Sequence, residues 1–208
     1  MDKNSKAILA KVSALKGGDS SEEIYDEWAG NYDHDLISEF GYLSPTVVAD
    51  AIDHEFDNKS IQILDYGCGT GLVGEQLYNK GFPFIDGLDI SSGMLDIAAS
   101  KNVYRKLDVA DLTIPLQLDD ALYDAAVCVG AMGAGHIGKE HMIEMIRPVK
   151  MGGIFIVTVN GMYFEPDRFD LFFREQESRG RWKVLKMHEF NYMSELVRPG
   201  WLLVAQVL

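Results

Sequence analysis

Between residues 61 and 160 the chain alternates short, almost wholly apolar runs with longer stretches in which apolar residues return every three or four positions. Runs of the first kind suit strands buried on both faces, and the second kind suits helices with one apolar side. Strands are therefore predicted over residues 61–66, 84–89, 103–107, 123–130 and 153–160, and helices over 71–80, 92–100, 139–150 and 166–180. Strands joined through helices run parallel, because the crossover returns the chain to the same end of the sheet. After residue 180 the alternation stops. Residues 182–190 and 201–208 form two apolar stretches with no helix between them, which predicts an antiparallel pair at one sheet edge.

Residues 1–60 read as helices instead. A weak helix is expected over 6–15. Ser21 then stands as a cap before Glu22 and Glu23, whose charges favour the positive end of a helix running through Tyr25 and Trp28. Residues 32–40 have helical spacing. Ser44-Pro45 is a start signal for residues 46–56, with Ser as cap and Pro at the first helical position, and Asn58-Lys59-Ser60 breaks that helix. The expected architecture is α/β: a doubly wound, seven-stranded, mostly parallel sheet with an antiparallel C-terminal edge hairpin and a helical N-terminal cap. One domain over 1–208 is expected, with 1–60 as cap or lid and 61–208 as core. At 208 residues and 47% hydrophobic composition the chain has material for one substantial core.

Charge narrows the partners. Thirty-two acidic against 19 basic residues give a net charge of -13, which repels phosphate backbones, so no nucleic-acid partner is expected. Basic residues concentrate only over 168–186 (Arg168, Arg174, Arg179, Arg181, Lys183, Lys186), and a solvated helix face and strand edge accounts for them. The two cysteines, Cys68 and Cys128, show no Cys/His pairing of the kind that binds metal. With neither a signal-peptide core nor an apolar stretch of about 18 residues, a cytoplasmic protein without membrane contact is expected.

Chemistry concentrates at Asp65-Tyr66-Gly67-Cys68-Gly69-Thr70-Gly71, an apolar strand ending in an acid and then alternating glycines. Such a turn brings backbone close to a ligand that side chains would obstruct. Gly69-Thr70-Gly71-Leu72-Val73-Gly74 also satisfies the G-x-G-x-x-G pattern of dinucleotide sites, with Asp89 twenty residues on as a ribose acid. Asp65 separates the two ligands. A dinucleotide would lay an anionic pyrophosphate beside that carboxylate, whereas S-adenosylmethionine brings a cationic ammonium and sulfonium that an acid can hold. Asp89 is placed to accept from both ribose hydroxyls of either ligand. Asp108, at the end of the third strand, is placed to accept from the exocyclic amine of adenine, with Ile90, Met94 and Val109 flanking the ring.

Asp65 to Gly71, Asp89, Asp108, the run Tyr123 to Gly130 and Arg147-Pro148-Val149-Lys150-Met151-Gly152-Gly153 resemble, in order, the motifs of class I S-adenosylmethionine-dependent methyltransferases. Tyr25 to Asp33 resembles the short lid segment of the small-molecule branch, in particular the Williams-Beuren syndrome region methyltransferase-like group. The match spans residues 22–160. It implies a Rossmann-like fold, S-adenosylmethionine as cofactor, a glycine loop (Asp65, Tyr66, Gly67, Gly69, Gly71) beside the methionine part, Asp89 on ribose and Asp108 on adenine. A small-molecule methyl acceptor follows from the branch and from the acidic charge.

The fourth motif, Val129-Gly130-Ala131-Met132-Gly133-Ala134-Gly135-His136, lacks the Asn-Pro-Pro-aromatic pattern of enzymes that methylate planar nitrogens. Its small residues, Gly130 among them, leave room for a ligand. His136 is a candidate general base, because an unperturbed imidazole titrates near ~6.5, set against a loop histidine without a role. Tyr25, Trp28 and Tyr32 fall at helical spacing, which suits both packing of the N-terminal helices and a lid whose aromatic faces shield a sulfonium. The implied chemistry is an in-line displacement releasing S-adenosylhomocysteine, in which alignment and exclusion of water are the protein's main tasks. An NAD(P)-dependent oxidoreductase and a non-catalytic cofactor-binding module stand as alternatives.

Overall fold

The computed structural model describes residue 11 and residues 22–133, 137–196 and 198–208. The expected helix over 6–15, apart from Lys11, and the Ser21 cap lie outside the described residues. From the N-terminus, helix α1 (Glu22–His34) runs into a π-helical turn (Asp35–Glu39), and α2 (Ser44–Glu55) leads to strand β1 (Ile63–Tyr66). Next come α3 (Leu72–Asn79), β2 (Ile85–Asp89), α4 (Ser92–Ser100), β3 (Lys106–Val109) and β4 (Tyr123–Met132). A 3-10 turn (Lys139–His141), α5 (Met142–Met145), β5 (Val149–Asn160), α6 (Gly161–Phe164), α7 (Phe169–Ser178), β6 (Trp182–Met193), a 3-10 turn (Ser194–Leu196) and β7 (Arg198–Val207) complete it.

The seven strands form one sheet in the order β3-β2-β1-β4-β5-β7-β6. The first five are parallel, and β7 runs antiparallel to both β5 and β6, as the missing crossover required. From β1 the chain winds outward to β2 and β3, then returns to the other side of β1 for β4 and β5. Two neighbouring strands that lead their connections in opposite directions leave a crevice at their C-terminal ends, and ligands of such sheets bind there. In this chain that crevice opens at the ends of β1 and β4.

Each sheet face is covered. Val48, Ile52, Val73 and Leu77 of α2 and α3 pack with Ile63, Ile85, Val127 and Ile156 on one side. Met142, Met145, Phe169 and Phe173 of α5 and α7 pack with Leu64, Tyr66, Phe155 and Leu203 on the other. A third cluster, Trp28, Leu36, Phe40, Leu72, Tyr192 and Met193, fastens the N-terminal cap over the glycine loop and the β6 end.

Several boundaries differ from those predicted, each for a local reason. The strand expected over 103–107 is Lys106–Val109, because Tyr104 leaves the ladder and turns its ring beneath α3. The helix expected over 139–150 shrinks to a 3-10 turn and Met142–Met145. Pro148 has no N–H to donate and disfavours helix at Arg147, whose guanidinium instead binds Glu144, Asp120 and the Leu116 and Leu118 carbonyls. Ser44 opens α2 with Pro45 in the first turn, but its side chain makes no capping bond and is buried. In the basic stretch, Arg168 pairs with Asp170, Arg179 with Glu175 and Lys186 with Glu55, as a solvated face would. Among the described residues no helix is long and apolar enough to cross a membrane.

Candidate functional site

The glycine loop is built by β1 running out of residues that can stay extended. Cys68 N–H still donates to the Leu88 carbonyl at 3.0 Å, after which Gly71 N–H turns back onto Cys68 O at 2.9 Å. The turn needs left-handed backbone at Gly67 (φ +64°), Gly69 (φ +54°) and Gly71 (φ +87°), and Gly71 caps α3. Beside Gly69 there is open space where a side chain would stand.

Asp65, on β1, is wholly buried. Its Oδ2 accepts from the Tyr104 hydroxyl at 2.7 Å, while its Oδ1 is buried without a hydrogen-bond partner. Burial, opposed by the Tyr104 bond and reinforced by the Asp89 charge, pushes the Asp65 carboxyl up to about 7. An orphaned carboxylate oxygen costs on the order of 1–3 kcal/mol, more if charged, and a cationic donor would remove that cost. The ammonium group of S-adenosylmethionine fits this requirement, and a phosphate does not.

Asp89 ends β2. Its Oδ2 accepts from Gly69 N–H at 2.8 Å and its Oδ1 from Ser91 N–H at 2.9 Å, so it ties the glycine loop to the start of α4 and keeps lone pairs for a ligand. Burial raises its pKa against those backbone bonds. Ser91 caps α4 by accepting from Met94 N–H at 3.0 Å.

Asp108 does not join this pair. It lies opposite Leu88 in the β2–β3 register, and Leu88 faces the α5 side of the sheet with Leu64 and Tyr66. Asp65, opposite Gly87, faces the other side. Side chains alternate along a strand, so Asp108 stands on the opposite face of the sheet from Asp65, and its Oδ2 pairs with Lys106 Nζ at 2.5 Å. The three expected acids thus divide between the two faces, Asp65 and Asp89 on one and Asp108 on the other. Tyr66 shares the Asp108 face: its side chain is buried and its hydroxyl donates to the Met145 carbonyl at 2.9 Å, leaving only its backbone toward the loop. Ile90 is half-buried, Met94 is buried in the first turn of α4, and Val109, opposite Asp89, is 63% exposed.

A family profile described as a methyltransferase domain matches residues 63–153. Human methyltransferase-like protein 27 is 32% identical over 157 residues, which cover 73% of this chain and 63% of that protein. The class is decided there. Residues 63–153 are a methyltransferase domain of the class I S-adenosylmethionine-dependent kind. The ubiquinone biosynthesis O-methyltransferase of Rickettsia typhi is 32% identical over 110 residues, covering 51% of this chain and 44% of that enzyme. The chain therefore spans between 44% and 63% of the length of these two curated relatives. Its fold matches the methyltransferase solved with the Haloferax volcanii Trm112 activator, with a TM-score of 0.68 at 18% identity over 90% of this chain and 97% of that one. S-adenosylmethionine is the cofactor of the family.

The aromatic stripe of α1 divides between two tasks. Trp28 is 2% exposed, meets Tyr32 edge to face at 4.7 Å, and donates its indole N–H to Asp35 at 2.8 Å, so it anchors the cap. Tyr25 and Tyr32 are half-buried. Burial and the Asp89 carboxylate push both phenols well up, so they stay neutral beside the cleft. Two residues that the sequence did not single out latch the same helix. Asp26 accepts from the Ser91 hydroxyl and from Gly93 N–H at 3.2 Å, and Asp33 accepts from the Thr70 hydroxyl and pairs with Lys101 at 2.6 Å. Both lie in the lid-like segment Tyr25 to Asp33, where an acid repeats at helical spacing next to Tyr25 and Tyr32.

Three further tyrosines complete the wall. A Cβ at Gly130 would lie 2.6 Å from the Tyr42 hydroxyl and 3.4 Å from that of Tyr192, and one at Gly133 would strike the Tyr163 ring. Tyr42 and Tyr192 meet edge to face at 5.2 Å. The small residues of the fourth motif thus make room for tyrosines that arrive from the α2 entry, α6 and β6. Both thiols are buried, which pushes Cys68 and Cys128 well above the ordinary range and leaves neither as a nucleophile. His136, the candidate base, lies outside the described residues.

Proposed function

We propose that this chain is a single methyltransferase unit that transfers the methyl group of S-adenosylmethionine to a small-molecule acceptor held among Tyr25, Tyr32, Tyr42, Tyr163 and Tyr192. The observation that carries the reading is the aromatic and acidic cover that α1 lays over the site. Helix α1 is tied by Asp26 to the start of α4 and by Asp33 to the glycine loop, and the tyrosines stand over the ends of β1 and β4. A polymeric nucleic-acid acceptor calls for an open track with cations for its phosphates. Among the described residues the cover is phenolic and acidic, and Lys101 is already engaged by Asp33 and Glu75.

When bound, the cofactor supplies an electrophilic methyl group. Asp65 Oδ1 accepts from the ammonium, Asp89 from the ribose hydroxyls, and Ile90 and Val109 flank the adenine. Tyr25 and Tyr32 exclude water from the sulfonium side and orient the acceptor, with the phenols as neutral donors. His136 remains our candidate for the base wherever the acceptor arrives protonated.

Two results are expected. With labelled S-adenosylmethionine and a fractionated cell extract, label enters the small-molecule fraction; label confined to RNA or protein would overturn the acceptor class. In calorimetry, S-adenosylhomocysteine binds more tightly as pH rises from 6 to 8, because only the ionised Asp65 holds a cation. Below the carboxyl's value of about 7 the affinity falls by about tenfold per pH unit. Asp65→Asn removes that slope, and a slope unchanged in this variant would sink the role of Asp65.

A further inference from the structure

We propose that Tyr104 is the positioning residue of the cofactor site, fixing one oxygen of Asp65 so that the other alone is presented to the ammonium group of S-adenosylmethionine. The inference rests on the assignment of Asp65 to that ammonium. Tyr104 lies in the turn before β3, distant in sequence from the glycine loop, and its ring runs into a slot that three glycines leave open. A Cβ at Gly71 would stand 2.8 Å from its Cε2, one at Gly87 would stand 3.1 Å from its Cε1, and one at Gly74 would overlap the phenol carbon and oxygen. The third glycine of the dinucleotide-like pattern is therefore explained by a tyrosine ring, with no pyrophosphate needed.

The hydroxyl at the end of that slot has two bonds. It donates to Asp65 Oδ2 at 2.7 Å and accepts from Gly74 N–H at 3.2 Å. Gly74 belongs to the first turn of α3, whose N–H groups have no partner within the helix and carry its positive end. A chain thus runs from the helix terminus through the phenol to the carboxylate, and each bond polarises the next toward a charged Asp65. It also removes Oδ2 from competition. With Oδ2 fixed, Oδ1 is the one acceptor left to the ligand.

The groups facing Asp65 are few. Asp89 at the end of β2 opposes its ionisation, as burial does; Cys68 of the loop, Cys128 of β4 and Tyr42 before α2 stand near it with protons held by burial. Tyr104 is the neighbour whose hydrogen bond favours the charged form. Its loss moves the ionisation of Asp65 upward and weakens the ligands that carry an ammonium.

The test compares S-adenosylhomocysteine, which has the amino-acid part, with 5′-methylthioadenosine, which lacks it, by calorimetry between pH 6 and 8. In Tyr104→Phe the homocysteine ligand is expected to weaken roughly tenfold at pH 7, as loss of a charge-assisted bond implies. The midpoint of its pH dependence should rise by about one unit, while the thioadenosine changes by less than about twofold. Gly74→Ala, which displaces the ring but keeps the hydroxyl, should give the same pattern and carries the test if Tyr104→Phe does not fold. Equal weakening of both ligands would mean a merely structural tyrosine and would overturn the proposal, as would an unmoved midpoint. Asp65→Asn separates the two claims. If it keeps the preference for the homocysteine ligand, the Asp65 assignment itself fails; if it loses that preference while Tyr104→Phe keeps it, only Tyr104 is misassigned.

Discussion

Asp89→Ala is expected to lower the affinity for S-adenosylhomocysteine by about 100-fold, whereas Asp108→Ala lowers it by less than about threefold. The asymmetry follows from what each carboxylate holds. Asp89 receives Gly69 N–H and Ser91 N–H at 2.8 and 2.9 Å, so its loss releases the glycine loop and the start of α4 together and removes the acceptor for two ribose hydroxyls. Charge-assisted bonds of this kind contribute on the order of 1.5–3 kcal/mol each, and two of them suffice for the expected factor. Asp108 is paired with Lys106 on the opposite face of the sheet, and its side chain is 43% exposed. An exposed pair of that sort contributes less than about 1 kcal/mol to stability and nothing to the cleft. Isothermal calorimetry on both variants decides the matter: an Asp89→Ala protein within threefold of the wild type would remove Asp89 from the site, and a large loss in Asp108→Ala would return Asp108 to it.

Trp28→Ala is expected to detach the cap. The indole is buried among Leu36, Phe40 and Leu72, meets Tyr25 and Tyr32, and donates to the buried Asp35. Truncating a buried tryptophan costs about 3–5 kcal/mol, of the order of the whole anchoring of a single helix on a satellite core. The sheet clusters share none of these buried residues, so the thermal transition of the core persists while α1 becomes accessible to protease. Tyr25 and Tyr32 leave with it, and so do the Asp26 and Asp33 latches, which should weaken S-adenosylhomocysteine by more than about tenfold. Limited proteolysis with and without ligand provides the check. A variant cut no faster than the wild type would show that Trp28 is not the anchor.

Much of the fold was legible because hydrophobic period is a local property. The runs ending at Tyr66, Asp89 and Asn160 could be read as strands and residues 92–100 as a helix, since each buries its apolar side whatever its neighbours are. The absence of a helix between the last two strands likewise predicted the antiparallel edge. The glycine loop was legible for a related reason: three positive-φ positions in five residues restrict composition directly. Where local pattern was misread, a long-range partner decided. Arg147, bonded to the carbonyls of Leu116 and Leu118, and Pro148 ended a helix that apolar spacing alone would have continued.

By itself, then, the sequence determined the alternation of strands and helices, the class of cofactor and the two acids, Asp65 and Asp89, that end or nearly end their strands. Only the tertiary structure decided which acids share a face of the sheet, because a one-residue offset on β3 turns Asp108 to the opposite face, and composition does not record strand parity. Only the tertiary structure placed Tyr104 against Asp65 and Asp33 against the glycine loop, across 39 and 37 residues of chain. Such contacts are formed by the winding of the sheet. The sequence carries their cost, as glycines at 71, 74 and 87 that leave room for a ring, without stating what fills the space.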